Sequence, residues 1–332
     1  MHHFIVSGPP YEAGRRLGEE LRRCGQGPGD LPAAAMTKEK RDFARRCGEI
    51  CAEEFPEAVQ ELYGLADGLS LPREALAGQI FCIYNYPPFQ GCTCFAARSG
   101  TGVLLGRNSD FMIQMEGHCL SLEYRSAAGF CFWGNATAPV QLEDGMNSHG
   151  LAAGLTFVWP VVKRPGLNAG LLVRYLLQKC RTVKEGIAAL KRLTISSAQT
   201  ITLADAEGDM ATVECNAERV EVMRPRAGEH FVAAVIGFCS GAMQPYAPAW
   251  DMMLSDQRRR TVCGALAARC DCDAAFARSL LAGEQGFLCQ YDRALGADTL
   301  WSVLYLPKRQ QAFLCEGNPS RTPFYKVAVG AD

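Results

Sequence analysis

Four short β-prone runs follow one another with no helical segment between them: CTCFAA from Cys92, GVLLGRN from Gly102, CLSLEYRS from Cys119 and GFCFWGN from Gly129. Runs of this length, separated by Gly, Ser and Asn, are the pattern of neighbouring antiparallel strands. A parallel sheet needs a helical crossover between successive strands, and here there is none. DGMNSHGLAAGLTFV, from Asp144 to Val158, continues the style with a polar turn before another strand. The rest of the chain falls into blocks around this one. Residues 10–80 read as helical: YEAGRRLGEELRR has apolar residues and glycines at helical spacing, and CGQGPGDLPAAA is a break. Two or three helices follow, punctuated by Pro56 and Pro72, with Gly68 placed as a helix C-cap. GLLVRYLLQKCRTVKEGIAALKRL predicts two helices meeting near Thr182, which caps the second. TITLADAEGDMATVECNAERVEVM predicts a hairpin turning at AEGD. Residues 250–283 are helical again, and a hairpin turning at Pro307-Lys308-Arg309 closes the chain. Strands in blocks around helical blocks make an α+β layered fold.

The 332 residues, 48% of them hydrophobic, suffice for a large core, and layered folds of this length are often one domain. A net charge of −1 gives no electrostatic case for nucleic acid or an anionic membrane, and no apolar stretch approaches a membrane span. The start, MHHFIVSGPPYEAGRR, shows no basic region followed by a long apolar run, so a cytoplasmic protein without a signal peptide is expected. Sixteen cysteines carry no Cys-x-x-Cys spacing, and with five histidines no repeated zinc-ligand pattern can be assembled. No metal or cofactor is expected, and most of the cysteines read as small buried apolar residues in a reducing compartment.

Cys92 is the exception. It follows Gly91, opens the first strand, and is followed by Arg107-Asn108-Ser109-Asp110 at the end of the second. A hairpin returns Arg107 and Asp110 beside Cys92. An amino-terminal cysteine combines a thiol nucleophile with its own α-amine, whose free pKa of roughly 7.7–8.0 suits a base. Attack of the thiol on the preceding carbonyl would create such a terminus, and glycine leaves that carbonyl open. Arg107 would lower the thiol pKa, and Asp110 would hold the new α-ammonium. On spacing alone, an Arg and an Asp three apart at a turn describe a surface ion pair equally well. His118, His149 and His230 are the remaining candidate bases, and Cys94 shares a strand face with Cys92. The aromatic stretch FCIYNYPPF, Phe81 to Phe89, fits either a lid over the pocket or plain core.

GCTCFAA followed by GVLLGRNSDF resembles the start of the mature chain in the cysteine N-terminal nucleophile (Ntn) hydrolases. The chain is similar to the acyl-coenzyme A:6-aminopenicillanate acyltransferase-like proteins, and more distantly to bile-salt hydrolases and penicillin V acylases. SGPPYEAGRRLGEEL, EDGMNSHGLAAGL, LLVRYLLQKCRTVKEGIAAL, LADAEGDMATVEC and TLWSVLYLPKRQQAFLCEGNP match further blocks in order. The resemblance implies an α+β four-layer αββα sandwich forming one domain over 1–332. It implies cleavage between Gly91 and Cys92 into an amino-terminal helical segment, 1–91, and a catalytic chain, 92–332. Cys92, Arg107 and Asp110 are then the catalytic group. Arg258 takes the place of a second active-site arginine, with adjacent Arg259 leaving the register open by one. Asn147 falls in the matched turn as a substrate-binding candidate, with Ser148 where an acid is usual. Where family members carry an oxyanion-stabilising asparagine this chain has Gln199-Thr200, and the backbone N–H of Thr93 or Cys94 is a further donor. Cys289-Gln290 stands where Cys-Arg is common.

The activity implied is hydrolysis of a linear amide through a Cys92 thioester, by a self-processing amidase. The expected partner is a small-molecule N-acyl amide or acyl thioester, with no nucleic acid and no membrane, and a homo-oligomer is allowed. Two alternatives remain: acyl transfer from acyl-coenzyme A to an amine, and an uncleaved, non-catalytic acyl-binding protein.

Overall fold

The computed structural model describes residues 1–25, 36–86, 90–126, 129–250 and 253–327. Most of the Gly/Pro-rich break after Cys24, and Pro87 to Phe89 of the aromatic stretch, lie outside the described residues. The chain opens with a strand, β1 (His2–Gly8). Four helices follow: α1 (Pro10–Arg23), α2 (Lys38–Glu54), α3 (Pro56–Leu69) and α4 (Arg73–Cys82). Pro10 and Pro56 sit in the first turns of their helices, where a missing N–H costs nothing.

Next come β2 (Gln90–Ser99), β3 (Gly102–Met112), β4 (Leu120–Ser126), β5 (Phe132–Ala136), β6 (Asp144–Asn147) and β7 (Ala152–Val158). The helix pair α5 (Ala169–Lys179) and α6 (Val183–Arg192) is divided as expected, with the Thr182 hydroxyl accepting from Glu185 N. Strands β8 (Ala198–Ala204), β9 (Met210–Cys215), β10 (Val220–Met223) and β11 (Phe231–Ala234) lead to α7 (Ser255–Ala267) and α8 (Ala274–Leu281). Strands β12 (Ala297–Leu306), β13 (Gln311–Cys315) and β14 (Tyr325–Val327) complete the chain.

The strands form an eight-stranded sheet, ordered β1-β4-β5-β6-β7-β8-β9-β10, and a six-stranded sheet, ordered β11-β2-β3-β12-β13-β14. Period-two alternation sorts their side chains into three apolar layers. Cys94, Leu105, Trp301 and Val303 meet Trp133, Met146, Ala152 and Met210 between the sheets. Leu122, Leu155, Ile201 and Val213 face α1 to α6 on one outer side. Phe95, Leu104 and Leu304 face Val262 of α7 and Leu280 of α8 on the other. The result is the expected αββα sandwich.

Two features depart from the sequence reading. β1 pairs with β4 in parallel, unlike every other strand pair among the described residues, so the amino-terminal segment supplies a sheet edge as well as helices. Gly68 is not a C-cap: α3 runs on to Leu69, and Ser70 takes the left-handed cap conformation at φ 59°. Gly68 serves instead in a seam of four glycines. A Cβ on Gly64 or Gly68 would overlap the carbonyls of Tyr11 and Arg15 in α1, and one on Gly14 that of Glu61 in α3. One on Gly18 would lie 2.6 Å from Leu65 O. The two helices therefore touch backbone to backbone, which a Cβ would prevent. α3 is also tied to the eight-stranded sheet and its helical layer by buried Glu61, which accepts from Arg174 of α5 and from the Tyr124 hydroxyl of β4, each at 2.8 Å.

Gly64→Ala is expected to lower stability by about 3 kcal/mol, the upper part of the usual overpacking range. Gly264→Ala, in α7 with open space around it, should be neutral or stabilising by up to about 1 kcal/mol. Urea unfolding of both variants checks the contrast.

Candidate active site

The site is built on the β2–β3 hairpin. Its register places Gly91 opposite Asp110, Cys92 opposite Ser109 and Cys94 opposite Arg107. Alternation sends the Cys92, Cys94, Arg107 and Ser109 side chains into the space between the sheets. Thr93 and Asp110 point the other way, toward α7. The hairpin thus offers the thiol to one face and the backbone around Gly91 to the other.

On the inner face, Arg107 Nη2 donates to Cys92 Sγ at 3.0 Å. The same nitrogen lies 3.0 Å from Glu143 Oε2, Nη1 donates to Asp144 Oδ2 at 2.7 Å, and Nε to Leu155 O at 2.8 Å. Glu143 also accepts from the hydroxyls of Ser109 and Thr137, and Asp144 from Asn135, Trp301 and Tyr305. Every member of this network is buried, so the carboxylates are retained by charge-assisted hydrogen bonds in place of water. Burial by itself would lower the Arg107 pKa; Cys92, Asp144 and Glu143 outweigh it and hold the guanidinium well above its ordinary value. Cys92 is affected in the opposite sense: burial pushes its thiol up to about 11, against the pull of Arg107. In the intact chain the thiol is therefore protonated at neutral pH. Tyr84, just after α4, is also buried here, and burial, with Glu143 acting on it, raises its hydroxyl well above the usual phenol range.

On the outer face, Arg258 of α7 reaches the nucleophile's backbone. Its Nη1 lies 2.8 Å from Cys92 O, 2.9 Å from Thr93 Oγ1 and 3.1 Å from Asp110 Oδ2. Its Nη2 is buried with no partner among the described residues. Asp110 also accepts from the Tyr291 and Thr299 hydroxyls. Burial raises the Asp110 pKa, opposed by Arg258 and these two hydroxyls. The register left open by the sequence is thereby resolved: Arg258 points inward, whereas Arg259 pairs with Asp256 at the surface.

The structure does not gather all of the expected residues. Gln199 turns to the helical side of its sheet, where Nε2 donates to Cys215 Sγ at 3.0 Å and Oε1 accepts from Ser197. Its neighbour Thr200 faces between the sheets opposite Thr156, and both hydroxyls are buried without a partner among the described residues. Asn147 does not join the group either. Its Nδ2 donates to Leu177 O and Cys180 O, and its Oδ1 accepts from His149 N and Leu151 N. An asparagine in a buried turn is consumed by backbone groups that nothing else can satisfy. Gln290 likewise braces its own turn, bonding Leu288 N, Cys289 N and Gly283 O. His149 is exposed and packs on Phe130. The sequence reading assigned no role to Glu143, Asp144 or Tyr291, whereas Tyr84 lies in the aromatic stretch placed over the pocket or in the core. Glu143 and Asp144 had a local signal, as adjacent acids in EDGMN ahead of a predicted strand.

Iodoacetamide at pH 7.5 is expected to alkylate the exposed Cys24 and Cys270 well before Cys92 in the intact chain. Cys92 labelling should climb with pH toward its titration near 11, because the thiolate is the reactive form. Timed labelling with peptide mapping checks this, and equal rates at pH 7.5 would refute it. Asp144→Leu should cost about 3–5 kcal/mol by leaving Arg107 a buried charge short of a partner, measurable by denaturant unfolding.

Two of the solved structures that resemble the chain illustrate the fold. The Caenorhabditis elegans orthologue of N-acylethanolamine-hydrolyzing acid amidase matches with a TM-score of 0.50 and 16% identity, over 71% of this chain and 100% of its own. A mutant of conjugated bile acid hydrolase from Clostridium perfringens matches with a TM-score of 0.50 and 12% identity, over 72% of this chain and 97% of its own. Both have the Ntn-hydrolase fold, and at these identities the likeness concerns the fold alone. A search of curated proteins returns no match. The family model described as acyl-coenzyme A:6-aminopenicillanic acid acyl-transferase matches residues 97–321, starting just beyond Cys92 and including Arg107, Asp110 and Arg258. The chain belongs to the acyl-coenzyme A:6-aminopenicillanic acid acyl-transferase family.

Proposed function

We propose that the protein is a self-processing cysteine amidase acting on linear N-acyl amides, with Cys92 as nucleophile and Arg107 and Asp110 as its catalytic partners. The observation that carries this reading is the 3.0 Å contact from Arg107 Nη2 to Cys92 Sγ, on a hairpin that also sets Asp110 opposite Gly91. In maturation the thiol adds to the Gly91 carbonyl, the thiol proton passes to the Cys92 amide nitrogen, and the C–N bond breaks to leave a thioester. Water then cleaves the thioester, giving a Gly91 carboxylate and a free Cys92 α-amine. Residues 1–91 and 92–332 remain one Ntn-hydrolase domain, because the β1–β4 pairing and the bonds of Glu61 to Arg174 and Tyr124 join the two segments and do not depend on the cut peptide.

In turnover the α-amine, oriented by Asp110, takes the thiol proton, and Arg107 stabilises the thiolate. The thiolate attacks the amide carbonyl, the amine leaves with the proton, and water releases the acid. Thr200, with its buried hydroxyl unspent, is the side-chain donor of this reading for the tetrahedral oxyanion. Arg258 holds the Cys92 carbonyl and shares Asp110, fixing the direction of the new terminus. All sixteen thiols are unpaired, which supports a reducing compartment such as the cytoplasm. The family's description also favours a second reading, transfer of the acyl group from acyl-coenzyme A to an amine. Product analysis with added amine against water alone separates the two.

The intact mass of the freshly purified protein, measured under denaturing conditions, is expected to show two chains meeting between Gly91 and Cys92. Cys92→Ala should show one chain and no amidase activity, and a cleaved Cys92→Ala chain would sink the mechanism. Asp110→Asn should slow processing at least tenfold in a timed expression series.

A further inference from the structure

Cys289-Gln290, where related chains commonly carry Cys-Arg, lies in the turn between α8 and β12. The Gln290 side chain closes this turn on itself. Its Oε1 accepts from Leu288 N at 2.8 Å and Cys289 N at 3.0 Å, and its Nε2 donates to Gly283 O at 2.7 Å. Gly283, at φ 78°, makes room for the amide, since a Cβ there would overlap Gln290 Nε2. Cys289 O accepts from Asn318 Nδ2 at 2.5 Å and from Tyr291 N at 2.9 Å. Phe287 meets the Tyr291 ring edge to face at 5.4 Å. A turn braced at each of these points delivers one group, the Tyr291 hydroxyl, to Asp110 Oδ2 at 2.9 Å.

The second hydroxyl on Asp110 is placed by an irregularity in β12. The register pairs Thr299 with Asp110 and then passes over Leu300 to pair Trp301 with Ser109. In a regular strand residues 299 and 301 would share a face. The bulge separates them. Trp301 Nε1 donates to Asp144 Oδ2 between the sheets at 2.8 Å, and the Thr299 hydroxyl donates to Asp110 Oδ1 on the α7 side at 2.7 Å. Asn318 also donates to Asp298 Oδ1 at 2.6 Å, the oxygen that accepts from Thr299 N. One buried asparagine therefore steadies both the Tyr291 turn and the bulge.

An ionised carboxylate has about four lone-pair sites. Arg258 and Tyr291 occupy Oδ2 of Asp110 and Thr299 occupies Oδ1, which leaves one site open. Gly91 lies directly opposite, and a Cβ on it would be 3.3 Å from Asp110 Cβ. We propose that Tyr291 is a positioning residue for self-processing: with Thr299 it directs the open acceptor site of Asp110 onto the nitrogen of Cys92. The proposal rests on the self-processing reading for its chemistry. As the Gly91–Cys92 bond breaks and the thiol proton reaches that nitrogen, Asp110 accepts from the nascent amine. Without the Tyr291 hydroxyl, Oδ2 is left to Arg258 alone and the buried carboxylate is held less firmly as an anion.

The charged and titratable groups facing Asp110 among the described residues are Arg258 of α7, Arg107 of β3, Cys92 of β2, and Tyr291 and Cys289 of the turn. Burial pushes Cys92 up to about 11 and Cys289 up to about 12. Burial and Asp110 hold the Tyr291 hydroxyl well above the phenol range, so it remains a donor. Below pH 8.5 Asp110 is thus the member of this set whose charge changes. Burial already raises it, and removing a donor raises it further, so a chain lacking the Tyr291 hydroxyl loses ionised Asp110 first as pH falls.

The test is self-cleavage of the freshly translated full-length chain, followed by pulse and chase from pH 4.5 to 8.5. The ratio of variant to wild-type rate is the readout, because the titration of Cys92 is common to both. For Tyr291→Phe this ratio should be near one at pH 8.5 and fall about tenfold toward the acid end, the weight of one hydrogen bond to a charged group. Gln290→Ala, which releases the turn without touching Asp110, should tilt the ratio the same way. Tyr63→Phe, at a 40% exposed tyrosine of α3, should leave it at one throughout. Carbon-13 titration of the Asp110 carboxyl in the uncut Cys92→Ala chain should show a higher midpoint once Tyr291→Phe is added. A Tyr291→Phe ratio that is flat with pH, at whatever level, is what a merely structural tyrosine gives, and it would overturn the proposal. An unmoved Asp110 midpoint would do the same. If the wild type cleaves at no pH, the self-processing reading fails, and the carbon titration by itself decides whether Tyr291 governs Asp110.

Discussion

The buried guanidinium of Arg107 is the interaction around which the rest is arranged. One side chain holds a thiol, two carboxylates and the Leu155 carbonyl, and so ties the hairpin of one sheet to β6 and β7 of the other. A cation in this position is tolerable only because each of its neighbours is anionic or polar and each carboxylate is itself satisfied. The consequence for the thiol is a balance. Burial suppresses ionisation, and Arg107 is in place to favour it once the surroundings of Cys92 change. In the intact chain the balance falls on the side of the protonated thiol.

The amino-terminal segment is part of the same construction. It contributes the strand beside β4, a helix pair packed backbone to backbone, and Glu61 as counter-ion to Arg174. Tyr84 reaches the network around Cys92 from this segment. A break between Gly91 and Cys92, as proposed, would remove one covalent link and leave these contacts in place, because they join side chains and sheet edges and not the Gly91–Cys92 peptide. The segment is a structural layer of the sandwich.

Much of the layout was legible beforehand because it rests on local periodicity. The strand runs from Cys92 to Asn135, the helix pair capped at Thr182 and the two hairpins all appear where alternation and turn residues place them. What was misread depended on partners remote in sequence. Gly68 has the residue type of a helix cap, yet the close approach of α1 decides its use. Asn147 has the residue type of a ligand contact, yet the carbonyls of Leu177 and Cys180 claim it. Between Gln199 and Thr200 the parity of the strand decides, and a shift of one residue reverses which side chain faces the interior.

By itself the sequence determined an α+β layering, with the αββα class implied by the family resemblance, and the hairpin that brings together Cys92, Arg107 and Asp110, since a two-strand hairpin with a short turn is a local object. Tertiary structure alone decided the remainder. It turned Arg258 inward and Arg259 outward, brought Glu143 and Asp144 to Arg107 from another sheet, and joined β1 to β4. Each of these is an encounter between elements far apart along the chain. Their meeting is set by which faces are apolar enough to be buried together, and no window of sequence contains both partners.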